Sequence, residues 1–400
     1  MIGVGSMPQA LRRESPAISF VGRHNSGKTT LLVKLIAELV ARGVDVGSVK
    51  HHGHADFEVD YPGKDSYRHR EAGSRDVVVV SPTRIARIRE LDAPIECDRI
   101  VADMPNHDIV IVEGFRESGL PVIEVLREGN ERDLPAAEEF IETGRVRGTA
   151  PVAVASDMPR VSEAAEARGL RAFGLDDIGA IADFLQAEYV RPRLTVAIQA
   201  GGESRRMGRS KATVPFLGAP LLARIVRRMA PAADELLVTT NEPEALGFVR
   251  DLGLGMEVRL VRDDFPERGA LRGLHTALHA ATCPLVSVVA CDMVFASAKL
   301  AVAEAATLHR ERVDAVVPHN KFGYEPFHAT YRAATCLPAV EAALSRGCTR
   351  AKDFFGEVNL RAFESDEVSA AVPERGCFIN VNTPEELARA EAAILDEGDL

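Results

Sequence analysis

Short apolar runs alternate with helix-like repeats along the whole chain. In the first half, runs rich in Val and Ile predict strands within residues 17–22, 44–50, 76–81, 107–114, 121–126 and 151–156. Between the first two runs, KTTLLVKLIAELVARG predicts a helix that ends at Gly43. Its apolar face comprises Leu31, Leu32, Leu35, Ile36, Leu39 and Val40. Alternation of this kind favours parallel sheets covered by helices, which is the α/β fold class.

The second half repeats the alternation after a break. A helix near residues 176–190 ends before Pro192, and a fresh apolar run starts at Leu194. Further strands are predicted within residues 235–241, 257–264, 284–293 and 313–320, with helices within 220–230 and from about 272 and 297. We therefore predict two domains, residues 16–190 and 193–400, behind a disordered lead-in of residues 1–15.

The segment FINVNTPEELARAEAAI predicts a last helix. Thr383 can cap its first turn, and Pro384 suits the first helical position. Glu386, three residues after Thr383, completes the pattern of a capping box.

Composition narrows the class of protein. Apolar residues make up 46% of the chain, and no apolar run approaches the roughly 18 residues of a membrane span. No long apolar segment occurs in the opening stretch MIGVGSMPQALRRESP, so we expect a cytoplasmic protein without a secretion signal.

The six cysteines show neither a CxxC pair nor zinc spacing, which predicts reduced structural thiols. A net charge of −11 argues against nucleic-acid partners and directs attention to small anions at local basic clusters.

The stretch GRHNSGKTT matches the phosphate-binding pattern G-x-x-x-x-G-K-[ST]. It follows a predicted strand and opens a predicted helix, as phosphate binding by backbone N–H groups requires. Lys28 would reach the outer phosphates, and the Thr29 hydroxyl would bind Mg²⁺. The predicted nucleotide-binding residues are Gly22, Asn25, Ser26, Gly27, Lys28, Thr29 and Thr30.

Two other features of the first half point to the same ligand. In the run HDIVIVEG, the apolar strand ends in Glu113, which we predict as a ligand of a nucleotide-bound metal, with a solvated strand-end acid as the alternative. His51, His52 and His54 lie in one polar segment, and their spacing fits no closed zinc site. That segment predicts a polar loop over a ligand.

A second glycine-rich turn, QAGGESRRMGRSK, fits neither the first pattern nor G-x-G-x-x-G. It combines the adjacent glycines Gly201 and Gly202, which allow close approach to a triphosphate, with basic residues that include Arg205, Arg206 and Lys211. The run PLVSVVACDM reaches Asp292 at the carboxyl end of a buried strand, where α/β sheets place ligands. We predict a second nucleotide site with Asp292 as a Mg²⁺ ligand; a solvated basic turn and a helix-capping Asp are the alternatives.

These motifs resemble two known families. Residues 16–188 resemble the molybdopterin-guanine dinucleotide biosynthesis adaptor family, MobB. The likeness rests on the first loop and on the segments FEVDYPGKDSYRHREAG and DIVIVEGFRESGLPVIEV. That likeness implies a P-loop domain that binds GTP. Residues 193–400 resemble the molybdenum cofactor guanylyltransferases, the MobA family, through QAGGESRRMGRSK, RDDFPERGALRGL, ACDMVF and FINVNTPEEL. That likeness implies a Rossmann-like nucleotidyltransferase domain with a mostly parallel sheet covered by helices.

The second resemblance assigns roles position by position. The implied GTP-binding residues are Gln199, Ala200, Gly201, Gly202, Lys211, Asn241, Asp263 and Asp292, with Asp292 also holding Mg²⁺. The predicted catalytic residues are Arg206, Lys211 and Asp292. Asn380 and Asn382 are implied to orient the acceptor phosphate or to complete the metal shell. Gln199 stands where the family has a Leu beside the base, which leaves guanine selectivity open.

Together the resemblances imply transfer of GMP from GTP to molybdopterin, or Mo-molybdopterin, with release of pyrophosphate. The pterin phosphate would attack the α-phosphorus, with Mg²⁺ as cofactor and without a Ser or Cys nucleophile. Besides these small molecules, we expect transient contacts with molybdopterin-handling proteins and molybdoenzyme apoproteins, and no membrane partner. The alternatives are a cytidylyl or sugar-phosphate nucleotidyltransferase, and a GTP-switched cofactor-binding protein without transferase activity.

Overall fold

The computed structural model describes residues 14–53, 60–201, 210–263, 265, 269–373 and 376–397, with the backbone alone for residues 396 and 397. The described chain divides into two compact units between Arg191 and Pro192. None of the helices in the described ranges is long and apolar enough to cross a membrane.

The N-terminal unit alternates strands with helices. Its strands are β1 (Ala17–Val21), β2 (Val46–Lys50), β3 (Asp76–Val80), β4 (Ile85–Arg89), β5 (Ile109–Glu113), β6 (Val122–Leu126), β7 (Ala153–Ser156) and β8 (Arg171–Phe173). Its helices are α1 (Lys28–Ala41), α2 (Asp65–Glu71), α3 (Cys97–Ala102), α4 (Leu134–Thr143), α5 (Pro159–Glu166) and α6 (Ile178–Glu188). Six strands form one parallel sheet in the order β2-β5-β1-β6-β7-β8.

Helix α1 covers this sheet with the face that its sequence predicted, except at one edge. Leu31, Leu32, Leu35 and Leu39 are buried. Val40 is 56% exposed, so its predicted place on the buried face is wrong. It lies one turn beyond Ile36, which is only partly buried against the core, so burial on this face decreases from the leucines toward Val40.

The predicted strand at residues 76–81 forms as β3, but it does not join the parallel sheet. Within the described residues, β3 pairs with β4 as an antiparallel hairpin. Val78, Val79 and Val80 are exposed, although their run is as apolar as a buried strand. The sequence pattern missed β4 because its arginines interrupt the apolar run.

The C-terminal unit contains a larger mixed sheet. Its strands are β9 (Leu194–Gln199), β10 (Pro215–Phe216), β11 (Ala219–Pro220), β12 (Glu235–Thr240), β13 (Val258–Arg262), β14 (Leu285–Ala290), β15 (Ala315–Asn320), β16 (Gly323–Tyr324), β17 (His328–Arg332) and β18 (Leu360–Phe363). Its helices are α7 (Leu221–Met229), α8 (Ala270–Ala280), α9 (Ala298–Glu311), α10 (Ala333–Ser345), α11 (Ser365–Ala371) and α12 (Pro384–Glu397). The α/β prediction is therefore confirmed for both units.

Four neighbouring strands of this sheet, in the order β13-β12-β9-β14, run parallel. Their carboxyl ends meet at one edge, which is where an open α/β sheet places its ligands. Alternate residues of β9 face opposite core layers, since Val196 and Ile198 pack on one side and Ala197 on the other. Strand β17 runs antiparallel between β14 and β15, a reversal that the apolar pattern did not reveal.

The predicted capping box at the start of α12 is confirmed. The Glu386 backbone N–H donates to Thr383 Oγ1 at 3.2 Å, and the Thr383 N–H donates to Glu386 Oε2 at 3.1 Å. Glu386 Oε2 also accepts the Asn382 N–H at 2.6 Å. The box therefore fixes the backbone of the residue that enters the site described below.

Two ionisable side chains, Glu304 and His328, are completely buried inside the C-terminal unit. Glu304 of α9 and His328 of β17 are both 0% exposed. Glu304 Oε2 accepts from Thr330 Oγ1 at 2.9 Å, and Glu304 Oε1 lies 3.5 Å from His328 Nδ1. His328 Nε2 accepts the Ser297 N–H at 3.0 Å, so in a neutral imidazole the proton is on Nδ1 and faces Glu304.

Replacing Glu304 with Gln tests the cost of this buried acid. Burial raises the pKa of Glu304, and hydrogen bonding to His328 and Thr330 offsets only part of that rise. Since the folded pKa lies above the unfolded one, the acid contributes stability that is complete below the unfolded pKa and is lost as pH rises through the folded pKa. Glu304→Gln cannot ionise, so its stability relative to wild type should increase with pH, as measured by urea unfolding between about pH 4 and 8.

Glu257→Gln, which replaces an exposed acid just before β13, is the control and should follow the wild-type pH dependence. A stability difference between Glu304→Gln and wild type that stays constant with pH, or falls, would contradict this account.

Candidate functional site

The first predicted loop connects β1 to α1, and its glycines are sterically required. Gly27 has φ 87°, in the left-handed region, and serves as the N-cap of α1. A Cβ added at Gly22 would lie 2.4 Å from the Val125 carbonyl oxygen of β6. Asn25, with φ 67°, is also left-handed, a conformation that Asn tolerates better than most residues. The loop can therefore turn its backbone N–H groups toward phosphates.

A buried acid that sequence reasoning missed holds this loop in place. Ser26 Oγ lies 2.8 Å from Asp133 Oδ1, and Asp133 is 0% exposed. The second carboxylate oxygen of Asp133 accepts the Arg127 N–H at 3.1 Å. Asp133 immediately precedes α4, and no local motif marks it, because its partner lies 107 residues away.

Lys28 and the two predicted metal ligands lie at the mouth of the loop. Lys28 Nζ donates to the carbonyl oxygens of Gly22 at 3.0 Å and Arg23 at 2.6 Å. Burial lowers the pKa of Lys28, and the nearby carboxylates, with Glu113 first, oppose that shift. Thr29 Oγ1 donates to Glu113 Oε1 at 2.8 Å, so the structure brings these two residues together. Thr30 is exposed on α1.

Lys50, at the end of β2, is a second residue that sequence reasoning missed. Its Nζ lies 3.2 Å from each oxygen of Glu113 and 3.3 Å from Thr29 Oγ1. Two parallel strands bring it there, because Lys50 is in register with Glu113 of β5. The ammonium therefore balances the acid at the position where the sequence predicted a metal.

In the C-terminal unit, three predicted residues meet where β9, β12 and β13 end. Asn241 Nδ2 donates to Asp263 Oδ2 at 2.9 Å. A Cβ added at Gly201 would lie 2.7 Å from the same Asp263 oxygen and 3.4 Å from Asn241 Nδ2, so only glycine allows this approach. Ala200 joins the group through its N–H, which donates to the Thr239 carbonyl at 2.8 Å.

Gln199, which ends β9, lies between this group and β14. Its carbonyl oxygen accepts the Cys291 N–H at 3.0 Å. A Cβ added at Gly273 of α8 would come within 3.3 Å of the Gln199 side-chain amide, so glycine there makes room for it. Gln199 Nε2 is buried and has no hydrogen-bond partner among the described residues.

Beyond β14, a lysine joins an acid and an amide from distant parts of the chain. Lys211 Nζ donates to Asp292 Oδ2 at 2.9 Å and to Asn382 Oδ1 at 2.6 Å. The side chains of Lys211 and Asp292 are 16% and 21% exposed, so the pair is largely shielded but open to a ligand. The Asp292 carbonyl accepts the Val381 N–H at 3.0 Å, which fixes the Asn382 segment against the strand end.

The remaining predicted residues divide into two groups. Asn380 is exposed, and its backbone pairs with Met293 of the site in an isolated β-bridge. Gly202 and Arg206, like Arg205 and His54, lie outside the described residues. The catalytic role of Arg206 therefore stays a prediction.

The oxygen atoms at both strand ends suit a hard divalent cation. Thr29 and Glu113 supply a hydroxyl and a carboxylate in the first unit, and Asp292 supplies a carboxylate in the second. Among the described residues, no cluster of three or more His, Cys, Asp or Glu side chains could hold a metal ion by itself. A cation at either place would therefore complete its shell with phosphate oxygens and water, as Mg²⁺ in nucleotide sites commonly does.

Comparisons with known proteins follow the same division of the chain. The family model for molybdopterin guanine dinucleotide synthesis protein B, MobB, matches residues 17–143, and that for the MobA-like NTP transferase domain matches residues 196–362. The molybdopterin-guanine dinucleotide biosynthesis adapter protein of Haemophilus influenzae is 38% identical over 133 residues, which are 33% of this chain and 74% of the relative. The molybdenum cofactor guanylyltransferase of Desulfosudis oleivorans is 32% identical over 202 residues, 50% of this chain and 96% of the relative.

The chain belongs to both families. Its N-terminal half is a MobB-type adapter domain, and its C-terminal half is a MobA-like nucleotidyltransferase, as the motifs predicted. Among solved structures, molybdopterin-guanine dinucleotide biosynthesis protein A of Archaeoglobus fulgidus is similar over 50% of this chain and 99% of its own, at 23% identity and a TM-score of 0.44.

In the MobA-like half, Cys291 directly precedes Asp292, and its reactivity can be tested. Burial raises the pKa of Cys291 to about 12 and that of Cys336 to about 12, so neither thiol supplies thiolate at neutral pH. Cys348 is only half-buried. We expect iodoacetamide at about pH 8 to label Cys348 well before Cys291 in the native protein, as measured by mass spectrometry of peptides.

In urea, all six cysteines should react at similar rates, which serves as the control for intrinsic reactivity. Native labelling of Cys291 as fast as Cys348 would show that its thiol is accessible and ionised, contrary to this account.

Proposed function

We propose that this protein transfers GMP from GTP to molybdopterin, or Mo-molybdopterin, and releases pyrophosphate. The observation that carries the proposal is the contact of Lys211 with Asp292 and Asn382 at the carboxyl end of β14. Membership of the guanylyltransferase family supports the identity of the substrates. The arrangement suits a reaction between two phosphates, because a lysine and a potential metal ligand lie side by side at a ligand-binding edge.

In the proposed reaction, an oxygen of the pterin phosphate attacks the α-phosphorus of GTP. A new phosphorus–oxygen bond forms, the bond between the α-phosphorus and its bridging oxygen to the β-phosphorus breaks, and pyrophosphate leaves. No protein nucleophile is needed, in agreement with the buried, protonated Cys291. The task of the protein is to hold two anions in line and to offset their repulsion.

The chain's own residues divide that task. Lys211, held between Asp292 and Asn382, can turn its ammonium toward phosphate oxygens with little loss of side-chain freedom. Asn241 and Asp263 lie against Gly201 and offer amide and carboxylate groups to the nucleoside. Gln199 Nε2, which has no hydrogen-bond partner in the described part of the chain, is a further donor, and it suits a carbonyl oxygen of the base better than an amino group. We assign Arg206 to stabilising charge in the transition state.

Mg²⁺ fits this donor set and is the proposed cofactor. Asp292 would hold it, with Asn382 in its surroundings, and triphosphate oxygens and water would supply the other ligands. When bound, such an ion neutralises phosphate charge and polarises the phosphorus–oxygen bonds.

The adapter half is proposed to bind a second GTP molecule at its phosphate loop. Lys28, Thr29 and Glu113 would meet the triphosphate and its Mg²⁺ ion, and Lys50 would move from Glu113 as the ion enters. Fusion to the transferase keeps the two sites on one chain, which raises their effective concentration toward the millimolar range. We place this chemistry in the cytoplasm, with molybdopterin-handling proteins and molybdoenzyme apoproteins as transient partners.

Replacing Asp292 with Asn tests the proposed site. The variant keeps the size of the side chain and can still accept from Lys211, but it loses the carboxylate charge. We expect pyrophosphate release from GTP, Mg²⁺ and molybdopterin to fall at least about 100-fold, the scale of losing one group that stabilises developing charge.

Two variants serve as controls for Asp292→Asn. Lys28→Ala should weaken GTP binding by the adapter half yet leave pyrophosphate release largely intact, and Asp366→Asn, an exposed acid on α11, should have no effect. If Asp292→Asn retained most of the activity, the proposed metal ligand would be wrong.

A further inference from the structure

A cavity of about 410 Å³ opens beside the phosphate loop of the N-terminal unit, and most of the residues that line it have no part in the proposed nucleotide site. It is lined by residues that follow three neighbouring strands, among them Arg23 after β1, His51 after β2 and Phe115 after β5. Its volume lies within the range of pockets that bind small molecules, about 300 to 1,000 Å³.

The wall of the cavity contains strained backbone. Phe115 and Arg147 both have φ 52°, a left-handed conformation that is unfavourable for residues other than glycine. Gly114, with φ 99°, faces His51 so closely that an added Cβ would lie 2.9 Å from the His51 Cβ. Strain of this kind concentrates at ligand sites, where it sets the direction of particular side chains.

A buried ion pair holds the wall together. Arg116 donates to both oxygens of Glu124, each at 2.7 Å, and Glu124 is 1% exposed. Arg116 also donates to the Val146 carbonyl at 3.1 Å, which ties the loop after β5 to the loop that carries Arg147. The charge of Arg116 is thereby compensated within the protein, and this arginine acts as a structural brace.

The other charged residues of the lining have no such compensation. Within the described part of the chain, neither guanidinium of Arg23 and Arg147 forms a salt bridge, and neither carboxylate of Glu96 and Glu117 accepts a hydrogen bond. Beside them, the rings of His51 and Phe115 are in contact, with centroids 4.4 Å apart and planes tilted by 37°. The cavity thus combines phosphate-binding groups, carboxylates that accept from N–H donors, and an aromatic surface.

We propose that this cavity binds a phosphate ester that carries a flat ring with an amino-oxo pyrimidine edge, alongside the nucleotide in the phosphate loop. Arg23 and Arg147 bind the phosphate, Glu117 accepts from the ring's amino and imino groups, and Phe115 packs against the ring. Guanine and pterin rings share this edge, so the source is a guanine nucleotide or the pterin acceptor. The pterin is one of these two sources only because of the function proposed above, so this part of the inference rests on that function.

The position of the cavity allows both ligands to be bound together. Lys28 Nζ contacts the carbonyl oxygens of Gly22 and Arg23, and both of these residues line the cavity. Glu113, which contacts Thr29, immediately precedes Gly114 of the wall. The second ligand therefore lies next to the outer phosphates of the nucleotide, against the part of the loop formed by Gly22 and Arg23.

Calorimetry on the full chain tests the proposal. With Mg²⁺ and a saturating non-hydrolysable GTP analogue, we titrate 6-hydroxymethylpterin phosphate and, separately, GMP. For one of these probes, Arg147→Gln and Glu117→Gln should each weaken one class of binding sites about 10-fold, the scale of losing a charged hydrogen bond. The matched controls Arg160→Gln and Glu131→Gln, exposed and outside the lining, should bind as wild type does.

The probe that responds identifies the source of the ring. If neither probe binds, or if Arg147→Gln and Glu117→Gln bind both probes as the controls do, the proposal is overturned. Pyrophosphate release measured on the same proteins separates this outcome from the function proposed above, since wild-type protein that releases pyrophosphate but binds neither probe in the cavity rejects the cavity ligand alone. Absence of release in the wild type rejects the transferase proposal.

Discussion

The contact between Lys211 and Asp292 is the constraint on which the transferase half depends. It joins residues 81 positions apart, and Asn382 reaches the same lysine from 171 positions away. With both side chains largely shielded from water, loss of either charge would leave the other poorly compensated. The sheet and the final helix must therefore both form before the site exists. The capping box at Thr383 and Glu386 fixes the last of these segments.

The adapter half also places a lysine against a carboxylate, here beside a different kind of phosphate loop. Glu113 ends the strand next to the phosphate loop, and the Lys50 ammonium lies against both of its oxygens. In both halves, a lysine compensates a carboxylate at the carboxyl end of a parallel strand. When a phosphate and a metal cation bind together, the lysine can pair with the phosphate and the carboxylate with the cation. Each charge of the pair then keeps a partner of opposite sign. One kind of electrostatic arrangement thus suits two unrelated nucleotide loops.

Local sequence patterns were enough to predict much of the structure. The phosphate loop between β1 and α1, the strands that hold both sites and the capping box of α12 could be predicted because each depends on residues close in sequence. Contacts between distant segments could not. Asp133, Lys50 and the Arg116–Glu124 pair have no local signature, and the antiparallel β17 depends on partners that the apolar pattern does not name.

The incorrect predictions have the same origin. β3 is apolar enough for a buried strand, yet it pairs in an exposed hairpin, and Val40 lies past the edge of the surface that α1 covers. In the candidate site, the structure brings Lys211 and Asp292 together, while their catalytic roles stay predictions and Gly202 and Arg206 lie outside the described residues. Periodicity indicates which residues are apolar, but tertiary contacts decide which of them are covered.

The most direct test of the central claim is a crystal structure of the protein with GTP and Mg²⁺. Our account predicts a metal ion about 2.1 Å from an Asp292 carboxylate oxygen, in contact with triphosphate oxygens, with Lys211 turned to the phosphates. A GTP molecule bound in the C-terminal unit with its metal away from Asp292, or with Lys211 still held by Asp292 and Asn382, would contradict it.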